Sequence, residues 1–201
     1  MQLVAPGRTV RAVLRVVVHV LCLMPGLWLL WAALSGDLGI NPVETLTHTT
    51  GDWALRLLLL CLCISPLIWL FSAPWLVGYR RALGDWAFFY ACLHVSVYLL
   101  FDAQFDLDYI LGDVLERPYI TMGATAFLLL IPLAVTSNRW SQRLLKHNWA
   151  RLHKLVYPAA IAVCIHFIWL VKGLQVEPWV YATLLAILLS IRVVRRLVRE
   201  G

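Results

Sequence analysis

VYPAAIAVCIHFIWLVK, residues 156–172, is apolar along nearly its whole length, yet His166 sits near its middle. A helix needs about 20 apolar residues to cross a bilayer, and this run approaches that length. Burying an imidazole there costs free energy unless both ring nitrogens are satisfied. Working outward, five further stretches have the same character, at roughly 13–34, 53–71, 84–101, 119–136 and 179–195. The chain has 201 residues, 62% hydrophobic and 14% charged. A soluble domain carries about 45–50% apolar and about 25% charged residues. The sequence therefore predicts an all-α integral membrane protein, a six-transmembrane-helix bundle forming one domain over residues 1–201.

The charges orient that bundle. Arg8, Arg11 and Arg15 precede the first span, and Arg80 and Arg81 follow the second. Arg139, Arg143, Lys146, Arg151 and Lys154 lie between the fourth and fifth, and Arg192, Arg195, Arg196 and Arg199 follow the sixth. The alternate loops are acidic, with Asp37, Glu44 and Asp52 in one and Asp102, Asp106, Asp108, Asp113 and Glu116 in the other. The positive-inside rule then puts both termini in the cytoplasm. The net charge of +6 is a topology signal, and basic residues spread along membrane edges argue against a nucleic-acid partner. No small-residue cleavage site follows a short apolar core near the start, so the first span is expected to stay.

Cys22, Cys61, Cys63, Cys92 and Cys164 all fall inside spans. Cys61 and Cys63 are two apart and point to different sides of a helix, so they read as small apolar residues rather than a metal pair. No linker, low-complexity segment or repeat is evident. Residues 36–52 and 102–118 read as outer loops. In the second, DYILGDVLE (108–116) is either a connector or a short surface helix presenting Ile110, Leu111, Val114 and Leu115 to lipid or a partner. Pro118 suits the first turn of the fourth span.

Histidines carry the only obvious chemistry. His48 and His147 read as solvated loop residues, and His19 as a structural or snorkelling residue near the inner edge. His94 lies thirteen residues beyond Arg81, and His166 twelve beyond Lys154. At about 1.5 Å per residue, both stand roughly 18–20 Å past the inner basic boundary, on helices that run the same way. Ala87, Ala91, His94 and Tyr98 form one stripe, and Ala159, Ala162, His166 and Trp169 another. Such alanines mean close helix packing or a slot for a flat macrocycle. Zinc wants four ligands, HExxH is absent, and no acidic companions of a proton relay occur inside the spans. Two axial imidazoles on haem iron fit best, with interhelical hydrogen bonding as the alternative. His153, about 20 Å below His166, is either a second haem contact, with His19 or solvent opposite, or an interfacial residue.

These segments together resemble a known family. The carriers are GINPVETLTHTTGDWAL (39–55), RRALG (80–84), LHVSVY (93–98), RPYITMG (117–123), WARLHKLVY (149–157) and IHFIWLVK (165–172). They resemble the ferric reductase-like transmembrane domain family and, more narrowly, the MsrQ/YedZ family, the haem-binding membrane subunits of a bacterial methionine sulfoxide reductase system. The resemblance implies haem b, one or two, on His94, His166 and His153. It also implies an association with FMN, although no phosphate-cradling glycine loop is evident. The implied donor is the quinone pool or a cytosolic flavin reductase. The implied acceptor is a periplasmic molybdopterin-containing catalytic subunit that repairs oxidised proteins, and the implied location is the bacterial inner membrane. This chain lacks the second histidine that two-haem oxidases carry on the third span. Arg117, at the outer start of the fourth span, is either a counter-charge for haem propionates or an interfacial anchor. Two other readings stay open. One is a stand-alone ferric or oxygen reductase, expected to continue into a flavin and nicotinamide domain. The other is a non-redox membrane scaffold or transporter with structural histidines.

Overall fold

The computed structural model describes residues 5–171, 173 and 175–200; Lys172 and the side chain of Arg199 lie outside the described residues. The chain forms two compact units, residues 1–104 and 105–201. Among the described residues, five helices are long and apolar enough to cross a membrane: Arg8–Ser35, Pro42–Phe71, Pro74–Asp102, Pro118–Val135 and His147–Leu170. The expected sixth, Glu177–Glu200, is helical but is not among these five, and its last turns carry Arg192, Arg195 and Arg196.

In the first unit, α1 (Arg8–Ser35) contains Pro25, and α2 (Pro42–Phe71) packs along α3 (Val77–Val97). Tyr90 of α3 is wholly buried. Its hydroxyl donates to the Cys22 carbonyl at 2.7 Å and accepts from the Gly26 amide at 2.8 Å. The hydroxyl thus stands in the α1 ladder where an i to i+4 bond would run, next to the proline, and pins α1 to α3. Side chains inserted into the ladder and prolines are the usual causes of helix bending.

The helix α2 begins well inside the stretch expected to be an outer loop. Asn41 caps it, accepting from the Glu44 amide while its own amide donates to the Glu44 carboxylate at 2.9 Å, and Pro42 occupies the first turn. Thr45, Thr47 and Thr50 then return their hydroxyls to carbonyls four residues back, at 3.1, 2.8 and 2.7 Å. That back-bonding lets a polar run stay helical where water is scarce. At its far end α3 continues into a π turn, Tyr98–Asp102, which begins four residues after His94.

In the second unit, α4 (Leu107–Glu116) is the short surface helix, capped by Asp106. It leaves Leu107, Leu111 and Leu115 exposed, while Ile110 and Val114 are half-buried and Asp113 is buried. Next come α5 (Pro118–Val135), α6 (Arg139–Leu145) and α7 (His147–Leu152). A single 3-10 turn, His153–Leu155, leads into α8 (Val156–Leu170), which packs on α5, and α9 (Glu177–Glu200) packs on α8. Ala87 on α3 and Ala159, Ala162 on α8 are already covered by protein, so of the two readings of the stripes their burial favours helix packing.

Candidate functional site

His94 and His166 are held in the same way, each within its own unit. The Nδ1 of His94 lies 2.9 Å from the Thr47 carbonyl oxygen on α2. That of His166 lies 2.6 Å from the Tyr119 carbonyl oxygen on α5. A carbonyl only accepts, so Nδ1–H donates in both, and in the neutral ring the lone pair is on Nε2. Each ring also rests on a glycine four residues after the acceptor. A Cβ built on Gly51 would stand 3.0 Å from His94 Nδ1, and one on Gly123 would stand 2.9 Å from His166 Nδ1.

The sequence reading found no repeat; the structure shows one. Thr47, Gly51 and His94 correspond to Tyr119, Gly123 and His166, each 72 residues further on. The same offset pairs Leu58 with Leu130, Cys61 with Leu133 and Ala87 with Ala159, all buried. Two helix hairpins, α2–α3 and α5–α8, therefore present one histidine apiece from equivalent positions.

His153 is held differently. Thr136 donates its hydroxyl proton to the Pro132 carbonyl at 2.6 Å, so at 3.1 Å its oxygen accepts from His153 Nε2–H. Trp149 stacks on the ring with centroids 4.0 Å apart and donates its indole N–H to the Thr136 carbonyl. In the neutral ring this puts the lone pair on Nδ1, the opposite tautomer to His94 and His166.

Arg117 caps the start of α5, two residues before the carbonyl that holds His166, and pairs with the buried Asp113 at 3.2 Å. Its hydrogen bond with Tyr119 and the charge of Asp113 hold the guanidinium above its ordinary value, so it stays cationic. His19 accepts from the Trp86 indole at 2.9 Å, in keeping with a structural role. His48 lies on α2 rather than in a loop, half-exposed beside Glu44 at 3.8 Å.

These residues suit haem better than a bare ion. Among the described residues no group of three or more His, Cys, Asp or Glu side chains could hold a metal. An iron that brings four porphyrin nitrogens needs only one or two protein ligands, and a neutral imidazole oriented through Nδ1–H is the usual one. A Cβ at Gly51 would crowd the His94 ring, and one at Gly123 would force a shift of the His166 ring.

A family model described as the ferric reductase like transmembrane component matches residues 50–164. A protein of Agrobacterium fabrum named protein-methionine-sulfoxide reductase heme-binding subunit MsrQ is 47% identical over 177 residues, covering 88% of this chain and 82% of its own. One of the same name from Xanthomonas axonopodis pv. citri is 47% identical over 170 residues, covering 85% and 78%. No solved structure matches the chain.

Proposed function

Because the chain belongs to the ferric reductase-like transmembrane family and, within it, to the MsrQ subunits, we propose that it is the haem b electron-transfer subunit of a protein-methionine-sulfoxide reductase. In this reading His94 and His166 are the residues that would hold one haem b. The observation that carries it is the doubled seat: one imidazole per hairpin, each tied at Nδ1 to a helix carbonyl. When bound there, a haem b would supply a reversible one-electron couple suited to electron transfer. The Thr47 and Tyr119 carbonyls fix ring orientation and tautomer and raise the basicity of Nε2. Arg117 offers a fixed cation for the propionates near the His166 seat. His153, held through Nε2–H by Thr136, would be a further haem contact at the inner edge.

The loop charges support a multi-pass arrangement of six spans with both termini cytoplasmic, and the family resemblance supports the bacterial inner membrane as its location. The chain then hands electrons to a periplasmic molybdopterin-containing catalytic subunit, drawing them from the quinone pool or a flavin donor. The outer edge that meets this partner carries the acidic loop residues and the exposed leucines of α4. The FMN association and the choice of donor rest on the family resemblance alone. The reading is tested by purifying the protein and scanning it before and after dithionite. A Soret band that sharpens, with the split visible bands of low-spin haem, is expected. A protein that stays colourless when expressed with excess haem would contradict it.

A further inference from the structure

Both histidines reach a backbone oxygen that a helix normally keeps to itself. The carbonyl of residue i−4 points along the axis toward the amide of residue i. A ring arriving from the neighbouring helix reaches that oxygen only by sliding over the Cα of residue i. A side chain at i crowds that path, and the distances to an added Cβ show by how much. A Cβ on Gly51 would meet His94 Nδ1 at 3.0 Å and Cε1 at 3.1 Å; on Gly123 it would meet His166 at 2.9 and 3.0 Å. Gly84, also helical and within the same span as His94, gives a contrast, since its Cβ would meet Cys61 Sγ at an ordinary 3.7 Å.

The two seats were built from different surroundings. THTTG (47–51) supplies a polar helix turn and YITMG (119–123) an apolar one, yet the order of acceptor carbonyl, three residues and glycine is the same. Shared geometry on unlike sequence marks what the arrangement requires. We propose that Gly51 and Gly123 are positioning residues of the electron-transfer site. Each admits an imidazole to the carbonyl four residues back and so sets the plane of that ring and the electron density at its Nε2. This inference rests on the haem reading above and extends it to two residues that have no side chain with which to ligate iron.

Gly51→Ala and Gly123→Ala in the full chain test it, with Gly84→Ala as the control. Haem titration, the ferric low-spin electron paramagnetic resonance signal and the midpoint potential are measured on membrane-inserted, monodisperse protein. Each seat variant is expected to bind haem about 10–100-fold more weakly and to shift the low-spin g values and the potential. Gly123→Ala, with the tighter contact, should show the larger change, and Gly84→Ala should match the wild type. Wild-type affinity and g values in both seat variants would overturn the proposal while leaving the haem reading intact. A wild-type protein that takes up no haem would sink that reading first. Where the variants do not fold, nitrogen-15-labelled histidine in the reduced wild-type protein serves instead. Two ring Nδ1–H resonances slow to exchange with solvent are expected, and rapid exchange at both would overturn the seat.

Discussion

The two hairpins carry the same histidine seat but differ in what surrounds it. In α2–α3, the Thr47 carbonyl lies in the second turn of its helix and also receives the Thr50 hydroxyl at 3.1 Å. In α5–α8, the Tyr119 carbonyl lies in the first turn, beside the Arg117–Asp113 pair, and its contact to His166 is shorter, 2.6 against 2.9 Å. Toward the inner edge the hairpins part further. The counterpart of His153 is Arg81, which pairs with Asp85, and the counterpart of Ala162 is Tyr90, which pins α1. What the hairpins share is the seat and the packing positions around it, so those are the features that two equivalently held histidines need. What they do not share points to separate tasks: anchoring a third helix in one unit, and a further polar cluster in the other.

The largest effect should come from the shared feature. His94→Ala and His166→Ala are each expected to abolish the low-spin haem spectrum, read as reduced-minus-oxidised absorption; full retention in both would break the equivalence. Next comes the Tyr90 pin, present in one unit only. Tyr90→Phe leaves the Gly26 amide and the Cys22 carbonyl without their partner in a water-poor setting, at a cost of about 1–3 kcal/mol. Thermal unfolding in detergent should show a lowered transition, whereas an unchanged one would mean that α1 recloses its own ladder. His153→Ala should remove only part of the haem absorption, since Thr136 and Trp149 hold that ring in the opposite tautomer. Loss of the whole spectrum would give it the same rank as the seated pair. His48→Ala should leave the spectrum unchanged and move stability by less than about 0.5 kcal/mol, because its contact with Glu44 is exposed.

Much of this was legible in the sequence. Apolarity located six spans, five of which are helices of membrane length among the described residues, and it singled out His94 and His166 as the two histidines within them that are held alike. The seat was not legible. Residues 36–52 read as a loop because acidic and other polar residues interrupt the apolar pattern there, and their helicity is supported by hydroxyl-to-carbonyl bonds that composition does not reveal. The repeat was hidden for a related reason. THTTG and YITMG share a threonine and a glycine and little else, since one lies in a polar turn and the other in an apolar one. Alanine spacing was ambiguous because small residues serve close packing as readily as a cofactor slot, and here they are covered by protein. Glycines gave no signal at all until the rings resting on them were in view.

The proposal that His94 and His166 together hold one iron is put to the test by a double-mutant cycle on haem content and spin state. Each single alanine variant should lose the low-spin signal, and the double variant should lose nothing more, because the two residues act as a unit. Partial losses in the single variants that add up in the double variant would mean that the histidines serve separate haems, and would contradict the account.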